Sequence, residues 1–306
     1  LKRQPIYVET QIDAGIEQVW AYTQTPGIHQ EWDLRFNTIE YLPRADEEAP
    51  QDFLYATRIG FGIKVSGKGR SVGTHSKETG ERTSALKFWS DEKISLIRTG
   101  SGYWKYIPAG NGVKFLTWYD YETRYGAAGN LVDKFAFRPL IGWATAWSFD
   151  ALRLWLERGT SARLSKALYA VYAVANFVIA LTWIYHGLIP KILHMETGEL
   201  AMMQASPFSL LQGHEAAAVY VVGAAEILFG LCFIFFGRRR LVHYLNISAL
   251  LALAIAAAFI QPSLYQYPFN PATTSFGITA LSIIVLKIRD DVPNARACSR
   301  KPKSQH

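Results

Sequence analysis

Cysteine is scarce in this chain. Only Cys232 and Cys298 occur, and their separation excludes a metal or redox motif built on thiols. Cys232 reads as a packing residue, and Cys298 as a thiol in a basic tail suited to a reducing cytoplasm. The opening Leu1-Lys2-Arg3-Gln4-Pro5 runs into a strand-like segment without the apolar stretch of a secretory signal, so the first membrane span is expected to direct insertion. No internal repeat appears. No Ser-His-Asp or Cys-His set and no carboxylate pair stands out, which leaves catalytic residues unassigned. Gly60, Gly62, Gly67 and Gly69 surround Lys64, Lys68 and Arg70, but no Gly-Lys-Ser/Thr follows, so a glycine-bearing hairpin is expected rather than a phosphate loop. A net charge of +7 suggests nucleic acid only until the charges are located: most of the excess flanks apolar runs, and no nucleic-acid partner is expected.

What the chain has is long hydrophobic runs, hidden by a mean hydropathy of only +0.04. They cover Ala167 to Ile189, Ala216 to Phe236, Leu241 to Ile260 and Thr274 to Ile288. About 20 apolar residues cross a bilayer core, so four spans are predicted. Arg153, Arg158, Arg163 and Lys166 precede the first. Arg238, Arg239 and Arg240 separate the second and third. Lys287, Arg289, Arg296, Arg300, Lys301 and Lys303 end the chain, whereas the outer loops hold only Lys191. The excess of Lys and Arg on cytoplasmic loops then predicts an inner or plasma membrane protein with both termini cytoplasmic. Tyr265, Tyr267 and Phe269 fit an outer aromatic belt.

Glu226 falls at the middle of the second span, where an acid is costly unless paired, protonated or hydrated. His186, His214 and Asn270 lie toward the outer ends of their spans, and with Glu226 they define a candidate intramembrane polar path. It reads either as a proton, ion or quinone-headgroup site, or as hydrogen bonding that fixes the bundle. The ligands lack a metal-site spacing, and no metal or other cofactor is assigned.

The front half reads as an α+β domain. Strands are predicted at Pro5 to Ile12, Thr38 to Leu42, Phe53 to Ile59, Ile63 to Val72, Ser84 to Trp89, Ile94 to Ile107 and Lys114 to Arg124. Asp13 is the expected cap of a short helix at Ile16 to Trp20, and a second short helix runs from Gly27 to Trp32. A long helix from Leu131 to Glu157 is expected to break at Pro139. Trp104, Tyr106, Trp118, Tyr119 and Tyr121 are candidates for a ligand cavity, with a filled aromatic core as the alternative. Asp33 and Arg35 read as loop charges or as a polar anchor beside Trp32, and His29 and His75 as loop residues.

The run Val8-Glu9-Thr10-Gln11-Ile12-Asp13-Ala14-Gly15-Ile16-Glu17-Gln18-Val19-Trp20, with Glu31-Trp32-Asp33 after it, resembles the START-like or polyketide cyclase superfamily over residues 1–158. That resemblance implies a helix-grip fold, a curved sheet around a closing helix, and an apolar cavity for lipids, sterols or polyketides. Thr182-Trp183-Ile184-Tyr185-His186-Gly187-Leu188-Ile189-Pro190-Lys191, Ala224-Ala225-Glu226-Ile227-Leu228-Phe229-Gly230-Leu231 and Phe269-Asn270-Pro271 resemble the DoxX-like family of four-span membrane proteins. The expected organisation is a START-like domain at 1–158, a linker at 159–166, a four-helix bundle at 167–289 and a basic tail at 290–306. The linker is short enough to keep the cavity within a few nanometres of the bilayer. The partners expected are the lipid bilayer, a hydrophobic small molecule and another membrane protein. Binding of an apolar ligand leads. An accessory subunit of a larger, quinone-linked complex and a cyclase-type enzyme are the alternatives.

Overall fold

The computed structural model describes residues 4–44, 46, 49–58, 62–204 and 212–302. Ile59, Gly60 and Lys303, assigned above to a strand end, a hairpin and the tail, lie outside them. The chain forms two compact units, one of the residues up to Lys166 together with those from Pro293 on, the other Ala167–Val292.

The first unit begins with β1 (Ile6–Ile12), α1 (Ile16–Gln24), α2 (Pro26–Trp32), β2 (Thr38–Tyr41) and β3 (Asp52–Arg58). The long strands β4 (Lys64–Ser76), β5 (Arg82–Trp89), β6 (Ile97–Ala109) and β7 (Gly112–Thr123) follow. All seven pair antiparallel in the order β1-β7-β6-β5-β4-β3-β2. Alternation decides the faces: Ile6, Val8, Thr10 and Ile12 of β1 are buried while their neighbours are not. Register shifts at Ser71/Gly73 and Ile97/Thr99 mark bulges, which bend and twist a sheet.

The chain then runs through α3 (Gly126–Val132), a π-helical turn at Asp133–Phe137, and α4 (Arg138–Arg158). The expected break at Pro139 takes this form, with Pro139 in the first turn of α4, where a missing N–H costs nothing. Phe149 of α4 stacks on Phe115 of β7 with ring centroids 4.4 Å apart, and α4 packs along β1. This is the helix-grip arrangement. Fully burying such a phenylalanine contributes roughly 1.5–3 kcal/mol.

Two local expectations need correction, and the expected glycine-bearing hairpin is β3–β4. Asp13 does not cap α1: Gly15 holds that position without a side-chain bond, and the Asp13 N–H donates to Glu157 instead. The β4 glycines serve the sheet itself. A Cβ on Gly67 would sit 2.2 Å from the Tyr55 ring and one on Gly69 2.1 Å from the Phe53 ring, so the aromatics of β3 lie across bare backbone. The tail from Pro293 on is not a free basic extension. Ser299 exchanges backbone hydrogen bonds with Glu9 on the open edge of β1, the Asn294 N–H donates to Asp150, and the buried Cys298 thiol faces the Ala146 carbonyl at 3.2 Å.

The second unit takes α5 (Ala162–His186) from Ala167 on. A π-helical turn at Gly187–Leu193, α6 (Glu199–Gln204), α7 (Glu215–Phe236), α8 (Arg240–Ile260) and α9 (Pro271–Ile288) follow. Among the described residues, four helical segments are long and apolar enough to cross a membrane: Ala162–Leu193, Glu215–Phe236, Arg240–Ile260 and Pro271–Ile288. Small residues bring α5 and α7 together. A Cβ on Gly223 would stand 2.8 Å from the Gly187 carbonyl, and one on Gly230 2.8 Å from that of Ala180. Ile179, Trp183, Phe233, Leu250 and Ile278 fill the centre. Phe259 and Phe276 point outward, 84% and 79% exposed, as apolar side chains do where lipid is the solvent.

Candidate functional site

The first unit holds a half-open cavity of about 1350 Å³. Phe88, Trp104, Thr117 and Tyr119 line it from the sheet, and Leu140 and Ala144 from α4. Of the five aromatics named from sequence, Trp104 and Tyr119 line it; Tyr119 shares a 2.9 Å hydrogen bond with the Thr145 hydroxyl. Tyr106 and Tyr121 are buried but are not lining residues, because their phenols are used elsewhere. Tyr106 meets Thr23 at 2.7 Å and accepts from Gln24 at 2.9 Å, while Tyr121 donates to Asp133 at 2.6 Å. Trp118 is a correction. Strand alternation gives the inner side to Thr117 and Tyr119, and Trp118 is left 36% exposed, stacked on Tyr103.

The polar side of the cavity differs from the sequence expectation. His29 is on α2, not in a loop, and Asp33, just past that helix, is fully buried. The Asp33 carboxylate accepts from Arg35 Nε at 2.9 Å and Arg35 Nη2 at 2.6 Å, and its Oδ2 lies 3.0 Å from His29 Nε2. The Arg35 backbone N–H donates to Asp33 at 3.0 Å. Burial alone would raise the Asp33 carboxyl, but Arg35 and His29 outweigh it and hold it below the usual carboxylate range. Burial opposes the Arg35 charge too, yet Asp33 keeps that guanidinium raised. The His29 imidazole is lowered, because burial outweighs the pull of Asp33. Its ring stacks on Trp32 at 5.0 Å and meets Trp104 edge-on at 4.8 Å. The spacing His-x-x-x-Asp on a short helix was the available signal, since residues four apart share a helix face.

In the second unit, Glu226 is buried and Lys191 Nζ stands 3.1 Å from its Oε2. The same ammonium is 3.1 Å from Glu199 of α6. Lys191 belongs to the π-helical turn, which also holds Pro190, and the Gly187–Gly223 approach brings that turn against α7. From sequence Lys191 counted only as a loop charge, outside the polar path. His186 and His214 are exposed side chains with no contact to Glu226 among the described residues, and Asn270 is spent otherwise. Its side chain accepts from the Ala272 and Thr273 N–H groups and donates to the Tyr267 carbonyl, capping α9. The expected path therefore resolves into one ion cluster and one helix cap.

A second buried polar group was not foreseen. Trp183 Nε1 donates to Asn246 at 2.6 Å, Asn246 donates to Ser282 at 2.9 Å, and His243 lies between Ser282 and the Gly237 carbonyl. His243 and Asn246, three apart on α8, carried the signal. These bonds join three helices and satisfy the groups they bury. Among the described residues no three His, Cys, Asp or Glu side chains gather as a metal site.

Comparison with known proteins finds a family model within the second unit and similar proteins for the chain. Residues 180–283 match the DoxX-like family. Among solved structures, the chain is similar to TTHA0849 from Thermus thermophilus, with 19% identity over 45% of this chain and 87% of that one and a TM-score of 0.35. It is also similar to a fragment of the STAR-related lipid transfer protein from Xanthomonas axonopodis, with 14% identity over 50% and 85% of the two chains and a TM-score of 0.40. Over 188 residues it is 50% identical to a Bacillus subtilis protein named Uncharacterized membrane protein YndG, covering 61% of this chain and 70% of that one. The chain belongs to the family of that membrane protein, and its second unit carries the DoxX-like region.

Proposed function

We propose that the first unit binds an apolar or amphipathic small molecule, of lipid class, in its cavity, and that the four helices hold this binding unit at a membrane. The cavity carries this reading. Ligand pockets commonly run about 300–1,000 Å³ and are mainly apolar with a few placed polar groups. The space here, about 1350 Å³, is larger, and aromatic and aliphatic side chains line most of it beside polar ones such as Gln24, Arg35 and Arg58. Leu131, Phe135 and Leu140 are exposed on α3, the π-helical turn and α4, and Leu140 also lines the cavity; such a surface suits the passage of an apolar ligand.

The basic flanks orient the bundle with both chain ends cytoplasmic. Its Lys191–Glu226 pair joins the π-helical turn to α7. Ligand binding is tested on the full chain in lipid nanodiscs with 6-fluoro-2-methoxynaphthalene, whose fluorine resonance separates protein-bound from bilayer-dissolved probe. A saturable bound signal, reduced when Ala144→Phe narrows the cavity, is expected. A signal identical to that of empty nanodiscs contradicts the reading.

A further inference from the structure

We infer that the cavity selects apolar molecules that carry a neutral hydroxyl, phenolic or enolic group, and that His29 Nδ1 is the atom that receives it. The inference rests on the cavity-binding reading above and narrows its ligand class.

The argument begins with the Asp33 carboxylate. It is ionised, fully buried, and already accepts three hydrogen bonds from Arg35. The ring nitrogen facing it at 3.0 Å therefore carries the proton and donates. In a neutral imidazole the other nitrogen must then be a bare acceptor. Trp32, Trp104 and Phe36 surround the ring, with centroids 4.8–5.4 Å away, so it is held in one orientation. Nδ1 makes no hydrogen bond among the described residues, and it is not among the sealed side-chain atoms that lack a partner. Unbonded and unsealed on a residue that lines the cavity, it is the ring atom available to a ligand. The cavity thus presents a fixed lone pair framed by aromatic faces, and the complementary group is an O–H on an apolar body.

The same geometry disfavours an acidic group at His29 itself; Arg44 and Arg58 line the cavity elsewhere. Arg35 also lines the cavity, but its charge is matched by Asp33 through two side-chain bonds, and the neutral His29 adds none. At that point a carboxylate or phosphate would lose its hydration and face the Nδ1 lone pair directly. A neutral donor loses little on entry and gains one hydrogen bond in an apolar setting.

The test compares 6-fluoro-2-naphthol and 6-fluoro-2-methoxynaphthalene on the full chain in nanodiscs by fluorine NMR. Wild type is expected to bind the naphthol about 3- to 10-fold more tightly than its methyl ether, the range of one net hydrogen bond. His29→Phe keeps an aromatic ring and removes the acceptor; it is expected to bring the naphthol/ether ratio to about one while ether affinity holds, which also reports an intact cavity. Equal affinity for naphthol and ether in wild type overturns the inference and leaves cavity binding standing, as does a ratio that persists in His29→Phe. Absence of any protein-bound signal overturns both.

Discussion

The Lys191–Glu226 pair makes an asymmetric prediction. Both side chains are nearly sealed, with 12% and 9% of their surface exposed, and the charges stand 3.1 Å apart. Removing one member of a buried pair strands the other and costs about 3–5 kcal/mol, whereas replacing both with apolar residues is neutral or stabilising by about 1–4 kcal/mol. Lys191→Met leaves Glu226 beside Glu199 with the shared ammonium gone, so the upper half of the penalty is expected. At about 2–4 °C per kcal/mol for a unit of this size, Tm in detergent falls by roughly 10 °C or more. Glu226→Leu costs less, because Lys191 keeps Glu199 as a partner. The double variant returns to within a few degrees of wild type. Thermal unfolding of all four proteins by intrinsic fluorescence closes the cycle. Additive losses, with the double variant worse than either single, refute the buried pair and with it the placement of the π-helical turn against α7.

Three further outcomes follow from the packing and charge of the two units. His29 and Asp33 are both depressed in the folded state, so the unfolded chain takes up protons first as pH falls; their stabilisation is complete above the ordinary imidazole value of 6.5 and is lost progressively below it, through His29 and then Asp33. Urea titrations from pH 7.5 to 4 are expected to show that decline, with a flatter slope between pH 7 and 5 in His29→Phe. Deleting residues from Pro293 on uncovers Ala146 and opens the β1 edge; Tm of the first unit is expected to drop and proteolysis of β1 to rise, and no change would show that the tail does not pack there. Gly187→Ala places a Cβ 2.3 Å from the Gly223 carbonyl, a backbone contact that cannot yield by side-chain rotation. It is expected to lower Tm more than Gly277→Ala, whose Cβ meets nothing within 4 Å, and equal Tm values would contradict the close approach.

Periodic elements were readable from sequence because their signal repeats. Ile6, Val8, Thr10 and Ile12 alternate, and the four apolar runs correspond to the four spanning segments to within a few residues except where the first helix begins. Strand ends were less legible, as at β4, where Gly73 to Ser76 continue the pairing with no apolar alternation to mark it. The functional groups were less legible because their meaning depends on neighbours distant in sequence. Glu226 stood out by itself as a midspan acid, yet its partner Lys191 was indistinguishable from a loop charge without the π-helical turn that carries it. Asp33 and Arg35 looked like surface charges until α2 and the sheet closed over them. Trp118 and Tyr119 are adjacent aromatics, and only register tells which faces the cavity. Asn270 was visible as polar, but Asn-Pro ahead of an apolar run is first a helix start.

The central claim, that the first unit is a binding unit for apolar molecules, is tested most directly by native mass spectrometry of the full chain released from nanodiscs. The tail contacts of Cys298 and Ser299 make the intact chain, rather than a fragment ending at the long helix, the right sample. A reproducible added mass of one small molecule, lost on denaturation and diminished in Ala144→Phe, is the predicted result. A bare protein mass that gains nothing from added lipid extract, with wild type and Ala144→Phe indistinguishable, would contradict the account.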